Sequence, residues 1–240
     1  MELRLLWLYH DIMDLYGDSG NIKVIKKRCE DRNIRFVLNT MGIGQNVDFN
    51  DYDLVFFGGG ADAEQNIIYK DLLKRKDSII DALNNDTFFL LICGGYQLFG
   101  QYYKDQDNNK IMGLGINDYY TVAKDNIRCI GNIYIKCQLD DEEIEVIGFE
   151  NHAGQTENVN NPLGKVIKGY GNTIDSTYEG YYDGKCLGTY IHGPLLPKNP
   201  ALADFVIKRA LSKRYDNVYL EPQEDVFEKK AFSIMKNRLL

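Results

Sequence analysis

The chain has 240 residues, 44% of them hydrophobic and 26% charged, which is ample for one sizeable buried core. With 28 Lys and Arg against 35 Asp and Glu the net charge is -7, and no basic stripe runs along the chain; a nucleic-acid surface is excluded. The opening segment, residues 1–9, is too short and too charged for a signal peptide. No apolar stretch nears the roughly 20 residues needed to span a bilayer, so the sequence reads as a cytoplasmic protein without membrane insertion.

Residues 3–9 form an apolar run that predicts a first buried strand. Tyr16-Gly17-Asp18-Ser19-Gly20-Asn21 follows as a turn rich in residues that tolerate unusual backbone angles. Ile22, Ile25 and Cys29 recur at helical spacing and predict a helix over 21–32. Residues 34–38 and 53–57 are the next strands, and Gly58-Gly59-Gly60 follows the second of them at once. Ile68, Leu72, Ile79 and Leu83 mark one face of a long helical region over 63–84. Residues 87–92 are a fourth strand, ending at Cys93, and 94–102 begin the next helix. Strands alternating with helices in this order predict an α/β fold, an open, doubly wound, mostly parallel sheet, with reactive groups at the carboxyl ends of its strands.

After about Tyr103 the pattern changes. Residues 119–124, 128–137, 143–149 and 165–168 read as shorter strands joined by Gly, Asn and Asp turns, an additional antiparallel strand region. Residues 187–191 form a further strand ending at His192-Gly193-Pro194, and 197–212 and 224–236 read as closing helices. No repeat or linker divides the chain, so residues 1–240 are expected to form a single domain.

The five cysteines, Cys29, Cys93, Cys129, Cys137 and Cys186, are odd in number and form no C-x-x-C pair. They imply neither a disulfide framework nor a zinc site, and no metal is expected. Four read as structural. Cys93 differs, because Phe88-Phe89-Leu90-Leu91-Ile92 leads into it and Gly94-Gly95 follows. A buried strand, a tight turn and a helix start lift a thiol out at the strand end, and free N–H groups there favour the thiolate. A cysteine ending an apolar strand is also an ordinary small core residue, and this segment alone leaves both readings standing.

A cysteine nucleophile needs a base, an oxyanion hole and a grip on its substrate. The chain has three histidines. His192 ends an apolar strand, as Cys93 does, and Gly193-Pro194 force a turn after it; His10 and His152 read as structural. Gly94 supplies one N–H toward an oxyanion. The Gly58–Gly60 loop supplies the second through Gly60, which is also taken as a substrate contact. The loop lacks the Lys-Ser/Thr of a phosphate loop, and no G-x-G-x-x-G opens the first helix. Arg128 could clamp a substrate carboxylate or be an ordinary surface arginine. Gln97, one helical turn past Cys93, could touch substrate or face solvent. Asp18 could order the loop near the thiol or be a plain turn residue.

Taken in order, Phe56-Phe57-Gly58-Gly59-Gly60, Cys93-Gly94-Gly95-Tyr96-Gln97 and Tyr190-Ile191-His192-Gly193 resemble the class I glutamine amidotransferases. Within that class the chain is similar to the cobyric acid synthase-like branch. Tyr16–Asn21, Gly148-Phe149-Glu150-Asn151-His152 and His192–Asn199 make it most similar there to the glutaminase subunits of lipid II isoglutaminyl synthases. The resemblance implies Cys93 as nucleophile, His192 as general base and Arg128 as the substrate-glutamine contact. It implies hydrolysis of L-glutamine through a thioester, and ammonia passed to a Mur-ligase-like synthetase subunit that amidates the D-glutamate of lipid II. No cofactor is expected on this chain; ATP and magnesium belong to the partner. Two departures stand out. Most of the class carry His-x-Glu, where this chain has Pro194, which implies a catalytic dyad, as in the cobyric branch, or an orienting group borrowed from elsewhere in the chain. Ala153-Gly154-Gln155 stands where Gly-Gly-Arg is expected in the nearest relatives. A corrinoid acid as acceptor, a cysteine hydrolase of γ-glutamyl substrates and a non-enzymatic binding subunit remain open alternatives.

Overall fold

The computed structural model describes residues 1–124 and 127–240. In chain order its first half runs β1 (Glu2–Leu8), α1 (Ser19–Glu30), β2 (Arg35–Met41), β3 (Leu54–Phe57), α2 (Asp62–Leu73), α3 (Lys76–Asn84), β4 (Phe88–Ile92) and α4 (Gly94–Phe99). The second half adds β5 (Tyr102–Lys104), β6 (Lys110–Met112), β7 (Tyr120–Ala123), β8 (Cys129–Leu139), β9 (Glu142–His152), β10 (Gly154–Glu157), β11 (Gly164–Lys168), β12 (Tyr178–Glu179), β13 (Tyr181–Tyr182), β14 (Cys186–Thr189) and β15 (Ile191–His192). Helices α5 (Leu195–Lys198), α6 (Pro200–Leu211) and α7 (Val226–Leu239) close the chain.

The main sheet has the order β13-β14-β4-β3-β1-β2, parallel except for the β13–β14 pair at one edge. Its inner strands β3 and β4 are buried at every position, as strands covered on both faces must be, which is why they read as unbroken apolar runs. A second sheet, β12-β11-β8-β9-β15, is antiparallel throughout, and a third small sheet has the order β10-β7-β5-β6. The mixed α/β architecture with an extra antiparallel region is the one the sequence predicts.

Two predicted helices are divided. The region over 63–84 breaks at Lys74-Arg75, where buried Arg75 donates to Asp71 (2.8 Å) and Asp71 accepts the Tyr9 hydroxyl (2.8 Å). The region over 197–212 breaks at Asn199, whose side chain replaces a strand neighbour of β9. It accepts the Ile147 N–H (2.9 Å) and donates to the Ile147 carbonyl (2.8 Å). Pro200 then starts α6 at the position where a missing N–H costs nothing.

The predicted strand over 187–191 is also two elements. β14 pairs with β4 in the parallel sheet up to Thr189, and β15 pairs with β9 in the antiparallel sheet. The chain changes sheets at Tyr190. Fully buried Glu179 holds the change: its carboxylate accepts the Thr189 hydroxyl (3.0 Å) and the Tyr190 N–H (2.6 Å). Burial outweighs those hydrogen bonds and raises the Glu179 carboxyl from 4.5 to about 8.

A carboxyl raised on folding binds its proton more tightly in the native state. Its favourable contribution is therefore complete below about 4.5 and lost as pH rises through about 8. Glu179→Gln, which keeps an acceptor for Tyr190, is expected to flatten the fall of the urea midpoint between those two values. An equal fall in wild type and variant would assign the pH dependence to other groups.

Candidate active site

β4 delivers Cys93 in a backbone conformation that L-residues avoid, with φ 48° and ψ −99°. Such a residue costs on the order of 1–3 kcal/mol and persists only where its surroundings fix it. Here the Cys93 N–H donates to the Thr189 carbonyl (2.8 Å), and the Cys93 carbonyl accepts the Gln97 N–H (2.9 Å). Strain at Cys93 is thus held by β14 on one side and the first turn of α4 on the other.

Close approach requires glycine at Gly95 and leaves little room at Gly94. A Cβ on Gly95 would meet the Phe57 carbonyl at 2.5 Å, and one on Gly94 would lie 3.1 Å from the Gly60 nitrogen. The Gly58–Gly60 loop therefore lies directly against the turn that carries the thiol. Its peptide planes are fixed. The Gly59 N–H donates to Asp18 (2.7 Å), and the Gly59 carbonyl accepts the Leu15 N–H (3.1 Å). Because the peptide is planar and trans, the Gly60 N–H points away from Leu15.

Cys93 is 7% exposed and opens onto a cavity of about 400 Å³ lined also by Gly60, Gln65, Gln97, Arg128, Asn151 and His152. A larger groove of about 670 Å³ between α1 and the start of α7 contains none of these residues. Arg128 reaches the cavity from the segment before β8. Its Nε donates to Asn151 (2.7 Å), which donates in turn to the Tyr16 hydroxyl (2.7 Å). Gln97 is buried rather than solvent-facing. It donates to the Tyr190 hydroxyl (3.2 Å) and accepts from Gln65 (2.9 Å), which also donates to the Gly60 carbonyl (3.2 Å). Gln97 thus both lines the cavity and braces the glycine loop.

His192 is fully buried on β15, behind the cavity wall. The Tyr16 ring meets it edge-on at 5.1 Å, and a Cβ on Gly59 would lie 2.9 Å from its Cε1. Burial alone would lower its titration. Negative charge on Cys93, together with the Asp18 carboxylate, outweighs burial and raises the ring from 6.5 to about 10. An imidazolium here is the counter-charge that a thiolate needs.

The structure thus brings Cys93, His192, Gly60, Gly94, Gln97 and Arg128 to one place. His152 lines the cavity too, a position the sequence does not predict. It stacks on Tyr190 with ring centroids 3.7 Å apart, and its Nδ1 lies 2.7 Å from the Gly154 carbonyl. Asp18 is fully buried beside His192 rather than a plain turn residue. His10 lies instead against Trp7 and Asp11. Among the described residues no group of three or more His, Cys, Asp or Glu could hold a metal ion. The remaining cysteines are free and 0–1% exposed, and burial raises the thiols of Cys29, Cys129, Cys137 and Cys186. A strained thiol, a buried imidazole, fixed backbone N–H groups and a guanidinium around one cavity suit acyl transfer from an amide that carries a carboxylate.

Comparison with known proteins agrees with this chemistry. Residues 4–200 match the CobB/CobQ-like glutamine amidotransferase domain. The lipid II isoglutaminyl synthase (glutamine-hydrolyzing) subunit GatD of Streptococcus pneumoniae is 39% identical over 94% of this chain and 87% of its own length. The same subunit of Staphylococcus aureus is 38% identical over 93% and 89%. A crystal structure of a glutamine amidotransferase has a TM-score of 0.52 at 11% identity, covers 85% of this chain and 98% of its own, and shows the same fold.

If charge on Cys93 holds the imidazole up, Cys93→Ala moves the His192 titration, followed by NMR, down from about 10 toward the ordinary 6.5. A titration that stays at about 10 would mean that other groups hold the ring.

Proposed function

The chain belongs to the CobB/CobQ-like glutamine amidotransferase domain family, and from that premise we propose that Cys93 and His192 hydrolyse L-glutamine as the ammonia-producing half of a lipid II-amidating complex. The observation that carries this reading is the strained Cys93 beside a buried, proton-holding His192 at a cavity that Arg128 also lines.

The Arg128 guanidinium pairs with the α-carboxylate of glutamine and directs the side-chain amide toward Cys93. The thiolate attacks the amide carbon. Negative charge moves to the carbonyl oxygen, where the N–H groups of Gly60 and Gly94 meet it. His192, having held the thiol proton, gives it to the departing nitrogen, and ammonia leaves a thioester on Cys93. The ring then accepts a proton from water. The hydroxide so formed attacks the thioester, and glutamate departs with the thiolate restored.

Released ammonia needs an activated acceptor, and the sequence carries neither the Lys-Ser/Thr of a phosphate loop after Gly60 nor a G-x-G-x-x-G opening the first helix. The acceptor half is therefore assigned to a Mur-ligase-like synthetase that holds ATP and magnesium and amidates the D-glutamate of lipid II, in keeping with the function named for the two GatD relatives. A cytoplasmic reaction is part of the same proposal; no helix of the described residues is long and apolar enough to cross a membrane.

Ammonia release from L-glutamine by the purified chain, alone and with the Mur-ligase-like protein, tests the reading. Cys93→Ala is expected to lower turnover about 10⁴-fold or more, as loss of a covalent nucleophile does. Turnover that survives the substitution would overturn the assignment. Stimulation by a corrinoid-amidating partner, with none by the Mur-ligase-like protein, would replace lipid II as acceptor. Arg128→Ala is expected to raise KM about 10- to 100-fold, matching the loss of one charge-assisted contact, with kcat nearly unchanged; an unchanged KM removes Arg128 from the glutamine site.

A further inference from the structure

We propose that Asp18 is the positioning residue of this site: one carboxylate both orients the His192 imidazole and sets the glycine loop that carries the oxyanion-facing Gly60. The inference rests on the reading of Cys93 and His192 as nucleophile and base.

An aspartate immediately before a helix normally caps the first free N–H groups of that helix. Asp18 stands at that position before α1 and makes no such bond. Asp14 takes the Ser19 N–H instead (2.6 Å), and the Asp18 side chain turns away from its own helix into the protein. There it is 0% exposed. One oxygen accepts the Gly59 N–H at 2.7 Å. The other has no hydrogen-bond partner and lies 3.7 Å from His192 Nδ1, which is also unpartnered. A buried carboxylate oxygen and a buried ring nitrogen, each without a partner and facing each other, form an incomplete contact. Catalytic hydrogen bonds of this kind are often long without substrate and tighten when it binds.

The neighbourhood explains why an aspartate so far from His192 in sequence can serve. Pro194, which stands where most of the class carry an orienting Glu, packs its ring against Gly20 at the start of α1, so closely that a Cβ on Gly20 would collide with it. Asn21, one residue on, accepts the Leu196 N–H (2.8 Å). The start of α1 is thus fastened to the segment that follows His192. Pro194 has no group that could orient the ring; it packs on the helix start that brings the Asp18 carboxylate to the imidazole. Among the described residues the other charged or titratable groups near His192 are Cys93 from the β4–α4 turn, Tyr16 from the segment before α1 and Glu179 from β12, and the Lys198 Nζ of α5 lies beside the adjacent Gly193. Asp18, unlike these, also bonds the glycine loop, through the Gly59 N–H.

The test uses the glutaminase with its synthetase partner, L-glutamine as substrate, and Asp18→Asn, Asp18→Ala, Cys93→Ala and His192→Ala side by side. Asn keeps an acceptor for Gly59 but offers the ring a donor, which favours the wrong tautomer. A fall in kcat of about 10²- to 10⁴-fold with KM within a few-fold is expected for Asp18→Asn. Asp18→Ala, which also frees the loop, is expected to fall at least as far. In Cys93→Ala the neutral ring should carry its proton on Nδ1 by nitrogen NMR, and this should switch to Nε2 when Asp18→Asn is added. The tautomer in Cys93→Ala alone decides the matter if Asp18→Asn does not fold: a proton on Nε2 overturns the proposal. So does kcat within three-fold of wild type in Asp18→Asn while Cys93→Ala and His192→Ala are inactive. Activity that persists in Cys93→Ala and His192→Ala overturns the underlying reading instead.

Discussion

The site depends on one change of direction in the backbone. At Tyr190 the chain leaves the parallel sheet, where β14 lies beside the strand that ends at Cys93, and enters the antiparallel sheet, where β15 carries His192. The thiol and the imidazole thus belong to different sheets yet are joined through four consecutive residues. Thr189 accepts the Cys93 N–H, Tyr190 supports Gln97 and stacks on His152, and His192 closes the set. A carboxyl group holds the change in direction from below. It fixes the Thr189 hydroxyl at the last paired residue of β14 and accepts the Tyr190 N–H where the ladder ends.

Every other component is fitted to that geometry by close backbone approach. The turn at Cys93 meets the Gly58–Gly60 loop, and the start of α1 meets Pro194, at distances where a Cβ would be crowded, so small residues set the spacing and hydrogen bonds set the direction. Arg128, Asn151 and Tyr16 form a polar chain from the cavity rim to the edge of the imidazole. The fixed parts of the site are deep and built from backbone. The part that meets substrate charge is a long side chain at the rim.

Much of this was legible in the sequence because parallel central strands announce themselves as unbroken apolar runs, and Phe88–Ile92 and Leu54–Phe57 are such runs. The residues directly after them are where the fold class places chemistry, which is how Cys93 and the glycine loop could be read. His192 was legible as a residue but not in its sheet, because Leu187-Gly188-Thr189-Tyr190-Ile191 reads as one short strand and carries no sign of the crossing at Tyr190. The break at Arg75 was hidden for a similar reason: the apolar spacing of Ile68, Leu72, Ile79 and Leu83 runs straight through it. Short strands such as β5, β12 and β13 span too few residues to show a period. Asp18 and His152 were visible as residue types, but their placement depends on contacts between distant segments. Pro194 in the place of an orienting Glu left either a dyad or a borrowed group open, and nothing near Asp18 in the sequence marked it as that group.

The burial of the other four cysteines gives the chain a simple accounting property. Cys29, Cys129, Cys137 and Cys186 are closed off from solvent, and burial keeps their thiols protonated, while Cys93 alone opens onto a cavity. A small alkylating reagent therefore meets one competent sulfur per folded molecule. The stoichiometry of labelling counts intact sites directly, and incorporation beyond one per chain reports unfolding, so a preparation of this protein can be assayed for native content without any substrate.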